Sequence, residues 1–229
     1  MSAKPDKPKV IFFDVNETLL DLTPLKASVG AALGDRPDLL PLWFTTLLQY
    51  SLVDTLCEDY SGFDEIGVAV LCMLAQKQGL SLSLQEARSA VQEPFRRLPP
   101  HPDVLPSLQR LKAAGVRITC LANSPAEVLA DQFDFAGMSA FFERRISTEE
   151  AGAFKPDART YAHGLSVVGE QPGDVMMVAS HAWDLKGAAR AGLRTAFLQR
   201  PGAMLYPLAS EPDIVVPDLA ALTDHLLGA

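Results

Sequence analysis

VIFFDVNETLL, residues 10 to 20, runs an unbroken apolar stretch straight into Asp14, then crowds Asn16, Glu17 and Thr18 behind it. Such a stretch predicts a strand buried on both faces, the kind found inside a parallel sheet. A carboxylate at its end is costly unless a partner neutralises it or chemistry requires it there. Taken alone, the segment also reads as a strand end closed by an acidic turn. The rest of the chain decides between the two.

After this strand the period changes. LLPLWFTTLLQYSLVDTL and FDEIGVAVLCMLAQKQGL place apolar residues three and four apart, so each reads as a well-buried helix. SLQEARSAVQEPFRRL reads as another, with Ser83 as N-cap and Glu86 completing a capping box. No strand is expected within residues 23 to 98, and LPPHPDV, residues 98 to 104, is a proline-rich joint.

Beyond the joint, strands and helices alternate. VLPSLQRLKAAG is a helix closed by Gly115, VRITCLA a strand, and SPAEVLADQFDF a helix with Ser124 as N-cap and Pro125 in its first turn. FERRIS, a helix over DARTYAHGLSVVG, the strand VMMVAS and the helix WDLKGAARAG follow. The strands RTAFL and DIVV and the helix DLAALTDHLL end the chain. The alternation predicts an α/β fold with a doubly wound, Rossmann-like parallel sheet over residues 8–21 and 101–229, and an inserted all-helical cap domain over residues 22–100. In such sheets ligands bind beyond the carboxyl ends of the strands, at a topological switch point. Asp14, Asn123 and Ser180 all stand just past a strand.

The 229 residues are 48% hydrophobic and 21% charged, a globular composition, with a polar start in MSAKPDKPK that is expected to be unordered. A net charge of −8 with no basic stripe argues against nucleic acid and anionic membrane as partners. No apolar run approaches the length of a membrane span, and the first residues do not read as a secretory signal. Cys57, Cys72 and Cys120 lie among apolar neighbours and read as small buried hydrophobes of a reducing compartment. A cytoplasmic protein is expected.

Four pieces in order at strand ends carry a resemblance: FDVNETLLDL (13–22), CLANSP (120–125), FKPDARTY (154–161) and VASHAWDLKGAARAGLRTAFLQRPG (178–202). They resemble the haloacid dehalogenase superfamily, and within it the L-2-haloacid (type II) dehalogenases, over nearly the whole chain. The resemblance implies that Asp14 is a nucleophile that forms an ester with the substrate, and that Thr18 holds its carboxylate. It also implies that Lys155 neutralises it and that Asp184 orients the lysine and the hydrolytic water. Tyr161 and Trp183 match the tyrosine and tryptophan that accompany these residues in the dehalogenases. The roles suit the chemistry, since aspartate is a weak nucleophile that must be desolvated, aligned and kept ionised by a nearby cation.

The chain departs from the pattern in several places. Superfamily phosphatases carry a second aspartate where Asn16 stands, as general acid, and a magnesium-binding acid where Ser180 stands. Dehalogenases carry an arginine at Phe44, a serine at Ala122, an asparagine at His181 and a serine at Ala179. Asn123, Ser124 and the amides of the helix beginning at Pro125 offer an anion site, and Ser180 and His181 can bind near it. Leu19, Trp43 and Phe44 read as an apolar wall for the substrate.

Together these residues predict dehalogenation of a small 2-haloalkanoic acid through an aspartyl ester on Asp14, with no cofactor and no metal. The small carboxylate is the expected partner, and a homodimer is compatible with the resemblance. The alternatives are a magnesium-dependent small-metabolite phosphatase and a non-catalytic member that binds a small acid.

Overall fold

The computed structural model describes residues 7–228, so residues 1–6 of the polar start expected to be unordered lie outside the described residues. The chain opens with β1 (Val10–Phe13) and then four consecutive helices: α1 (Thr23–Ala32), α2 (Leu40–Cys57), α3 (Phe63–Lys77) and α4 (Leu84–Phe95). The alternating part comprises α5 (Val104–Ala113), β2 (Arg117–Ala122), α6 (Ala126–Phe135), β3 (Arg144–Ser147), α7 (Ala158–Val168) and β4 (Val175–Ala179). It ends with α8 (Ala182–Arg190), β5 (Arg194–Leu198), β6 (Ile214–Val216) and α9 (Leu219–Leu227).

The six strands form one parallel sheet in the order β3-β2-β1-β4-β5-β6. β1 lies at its centre, with Ile11 level with Ile118 on one side and Met176 on the other. Its residues alternate between two apolar layers. Val10 and Phe12 pack with Tyr161, Val168, Leu185 and Ala188 of α7 and α8. Ile11 and Phe13 belong to the larger core that α5, α6, α9 and the four inserted helices share. Burial on both faces is why the strand reads as a continuous apolar run. The chain leaves β1 toward β2 on one side and returns as β4 on the other. The crevice beyond the ends of β1 and β4 is therefore the switch point of this doubly wound sheet.

The inserted helices enter and leave side by side. Asp21 donates its N–H to Pro99 O at 2.8 Å, His101 donates to Leu19 O at 2.9 Å, and Leu20 bridges to Pro100. The proline-rich joint thus closes the insertion next to Asp14. α4 carries the expected capping box, with Ser83 Oγ accepting from Glu86 N and Glu86 accepting from Ser83 N.

Three expectations need correction. α1 is a fourth helix that sequence periodicity did not single out. Its Gly30 lets Pro37 approach closely, since a Cβ there would meet Pro37 Cα at 2.7 Å. Second, α6 begins one residue later than expected: Pro125 is its extended N-cap, with ψ 153°, and Ser124 lies outside. Ser124 Oγ instead accepts from Asn16 Nδ2 at 3.1 Å. Third, only Cys120 is buried; Cys57, at the end of α2, is exposed and Cys72 intermediate, all three as free thiols.

Candidate active site

Asp14 stands one residue past β1, buried, at the switch point. Lys155 Nζ donates to its Oδ1 at 2.9 Å and to Asp184 Oδ2 at 2.6 Å, so one fully buried ammonium bridges two carboxylates. Thr18 Oγ1 donates to the other oxygen, Oδ2, at 2.7 Å. The acceptor side of that hydroxyl is filled by Ser180 N at 2.9 Å and Ser180 Oγ at 3.0 Å, which leaves its own hydrogen for Asp14. Arg200 Nε donates to Thr18 O at 3.0 Å and Arg200 Nη1 to Asp103 at 2.8 Å, which pins the turn from behind. Burial alone would raise the Asp14 pKa. The charges of Lys155 and His181 and the hydrogen bonds from His181 and Thr18 outweigh it and hold the carboxyl well below its usual range.

His181 lies in the same cluster. Its Nδ1 is 2.9 Å from Asp14 Oδ2 and its Nε2 is 2.8 Å from Glu17 Oε2. With a carboxylate on each nitrogen, both nitrogens donate and the ring is an imidazolium. Burial works against the charge, but Asp14 and Glu17 prevail and push the His181 pKa up to about 10. Phe44 and Trp183 stack on the ring, with centroids 6.1 and 5.2 Å away.

Asp184, in the first turn of α8, is fully buried. Its Oδ1 accepts from Tyr161 at 2.6 Å. Burial raises its pKa, Lys155 opposes, and the nearby Asp14 charge adds to the rise. Burial of Lys155 favours the neutral amine, but its two carboxylates overcome this and raise its pKa. Asn123 Oδ1 accepts from Lys155 N at 3.0 Å and fixes the loop that carries the lysine.

Asp14, Thr18, Lys155, Asp184, Ser180, His181 and Asn123 are thus gathered at one place, with Phe44 against the histidine. Other residues predicted from the sequence take different positions. Trp43 is fully buried in the inserted helices, with Nε1 donating to Gly67 O at 2.9 Å, and Leu19 is fully buried in the core. Both point into packed side chains, so of the predicted apolar wall only Phe44 lines the open cleft. Tyr161 is also fully buried, its hydroxyl committed to Asp184. Ser124 is tied to Asn16 and Ser147. The first amide of α6, Ala126 N, already bonds Glu149 at 3.3 Å, so the expected anion site at that helix start is partly filled.

A cleft of about 950 Å³ opens beside the cluster, lined by Phe44, Ser180, His181, Trp183, Lys186 and Arg200 among others. Sequence reasoning missed Glu17 and Arg200. Glu17 adopts a positive φ of 62°, which places its carboxylate on His181; nothing in its local sequence marks it for that conformation.

A model of the haloacid dehalogenase-like hydrolase family matches residues 8–192. The chain belongs to that family. Haloacetate dehalogenase H-2 of Moraxella sp. (strain B) is 29% identical over 223 residues, spanning 97% of this chain and 99% of that protein. The (S)-2-haloacid dehalogenase H-109 of Pseudomonas putida is 28% identical over 218 residues, spanning 95% and 97%. The structure of L-2-haloacid dehalogenase from Xanthobacter autotrophicus superposes with a TM-score of 0.90 at 25% identity, covering 96% of this chain and 99% of that one.

Within this haloacid dehalogenase-like hydrolase the donor set does not suit magnesium, a hard cation that takes carboxylates and phosphate oxygens. The ammonium of Lys155 bridges Asp14 and Asp184, the two carboxylates the ion would require. Position 180 offers only a hydroxyl already engaged with Thr18. Among the described residues no three acidic, histidine or cysteine side chains converge on a metal position.

Proposed function

We propose that this hydrolase removes halide from a small 2-haloalkanoic acid, with Asp14 as nucleophile. The observation that carries the reading is the placement of Asp14: buried, ionised by Lys155 and His181, and aligned by Thr18. Its carboxylate attacks the α-carbon and expels halide, forming an ester. Water then opens the ester at the Asp14 carboxyl carbon, its proton passing to Asp184, which Lys155 and Tyr161 hold in place. Asn123 fixes the Lys155 loop, while Ser180, His181 and Phe44 border the substrate. Residues 22–100 act as the cap over this site. The names and full-length coverage of the relatives support this reaction class. Free cysteines agree with a reducing, cytoplasmic setting, and among the described residues no helix is long and apolar enough to cross a membrane.

Single turnover in heavy-oxygen water, with enzyme in excess over a 2-haloacid, tests the mechanism. The product hydroxyl is expected to be unlabelled, because its oxygen comes from Asp14, while the Asp14 carboxylate gains the label. Label in the product hydroxyl, or turnover that stops with a strong chelator, would overturn it.

A further inference from the structure

The two oxygens of Asp14 are not equivalent. Oδ2 accepts two hydrogen bonds, from Thr18 Oγ1 at 2.7 Å and from the His181 ring at 2.9 Å. Oδ1 accepts from Lys155 at 2.9 Å, its one side-chain donor among the described residues. Attack on carbon needs a free lone pair, and Oδ1 has one. In the resulting ester, Oδ1 carries the substrate and Oδ2 becomes the carbonyl oxygen, already facing two donors.

We propose that Thr18 and His181 form the oxyanion site for hydrolysis of the Asp14 ester, with Glu17 as the residue that positions His181. The proposal rests on the dehalogenase reading above. In the first step the Oδ1–carbon bond forms and the carbon–halogen bond breaks, its electron pair leaving with the halide. Water then bonds to the Asp14 carboxyl carbon, and its proton goes to Asp184. The carbonyl π electrons move onto Oδ2, where the Thr18 hydroxyl and the imidazolium N–H receive the charge. On collapse that pair returns, the bond from carbon to Oδ1 breaks, and Oδ1 departs as the hydroxyl oxygen of the product, protonated by Lys155. The new Asp14 carboxyl returns a proton to Lys155, and Asp184 releases its own to solvent. The net reaction consumes one water and yields alcohol, halide and one proton.

The geometry suits a fixed donor pair. Donors at 2.7 to 2.9 Å from the atom that develops charge are at the distances expected of an oxyanion site. Neither donor is free to turn: Ser180 fills the acceptor side of Thr18, and the His181 ring stacks against Phe44 and Trp183 while Asp14 and Glu17 hold its two nitrogens. Glu17 secures the far nitrogen from a left-handed backbone held by its N–H to Leu20 O at 2.9 Å and by His101 Nε2 on its carbonyl at 3.0 Å. A non-glycine residue in the left-handed region is strained, and here the strained turn keeps that carboxylate on His181.

The two steps separate kinetically. Rapid-quench halide release and intact-protein mass would be followed with excess 2-chloropropionate. In His181→Gln, alkylation is expected to continue, giving a burst of one halide per active site. Steady turnover then falls roughly 10²–10³-fold and the ester accumulates. In Glu17→Gln the ester still forms, and the hydrolysis step loses its rate at lower pH than in the wild type. This second variant carries the test should His181→Gln not fold. Absence of halide release by the wild-type enzyme would remove the dehalogenase reading itself. Wild-type turnover with burst and steady rates lowered equally in His181→Gln, and no ester, would overturn the oxyanion site alone. An unaltered pH profile in Glu17→Gln would overturn the role of Glu17.

Discussion

The hydroxyl of Tyr161 lies 2.6 Å from Asp184 Oδ1, with both side chains fully buried. Tyr161 therefore acts on the reaction through Asp184, not by touching substrate. Tyr161→Phe keeps the packed ring and removes the donor, leaving a buried carboxylate oxygen short of a partner. A loss of about 1–3 kcal/mol is expected. The water-activating step should slow more than halide release, which a comparison of burst and steady rates would read.

That tyrosine also marks where sequence reading stops. The apolar run before Asp14 and the alternation after residue 101 reveal a doubly wound sheet, because strand and helix periods are local properties. Strand ends then place Asp14, Asn123 and Ser180 at one edge, and Lys155 and Asp184 follow from the resemblance. The direction a buried side chain takes is not local. Trp43 and Leu19 read as a wall beside the substrate, yet the core takes both. The support from Glu17 and Arg200 depends on contacts between segments far apart in the chain, His181 with Glu17 at 164 positions and Arg200 with Thr18 at 182, relations that leave no periodic trace.

Gly187 sits where α8 passes closest to this support. A Cβ there would stand 2.5 Å from both Tyr161 Oη and Pro156 Cβ. Pro156 follows Lys155, so the clash reaches both groups that hold Asp184. Gly187→Ala relieves nothing, since the glycine is helical, and the overpacking should cost about 1–3 kcal/mol. Activity should fall together with thermal stability. An unchanged melting temperature would show that the neighbours yield freely.

The His181 charge predicts an alkaline limit. The groups facing the ring are the carboxylates of Asp14 and Glu17 from the turn after β1, the Phe44 ring from α2 and the Trp183 ring from α8. Its pKa rises from 6.5 to about 10 on folding. A raised pKa gives stability that is complete below the unfolded value and is lost as pH climbs through the folded one. The melting-temperature gap between wild type and His181→Gln should be widest below pH 6.5 and close toward pH 10. A gap independent of pH would show that the ring is uncharged in the folded enzyme.

Removing either partner of the central ion pair should stop catalysis, but the consequences for folding differ. Asp14→Asn leaves Lys155 with Asp184 at 2.6 Å and puts a neutral amide against Thr18 and His181. Halide release should fall by at least about 10³-fold, with the fold retained. Lys155→Met leaves two buried carboxylates and one cation fewer, a loss of about 3–5 kcal/mol when a buried charge is left uncompensated. With Lys155 gone the Asp14 pKa should rise, because that charge is the largest influence holding it down against burial. The penalty should then ease as pH falls toward ~4 and a carboxyl accepts a proton. In the wild type, by contrast, the depressed Asp14 pKa costs stability only as pH falls below the unfolded value of 3.8. Denaturant titrations of both variants between neutral pH and pH ~4 would check this. Equal destabilisation at both pH values would show that packing, not charge, is what Lys155 contributes to the fold.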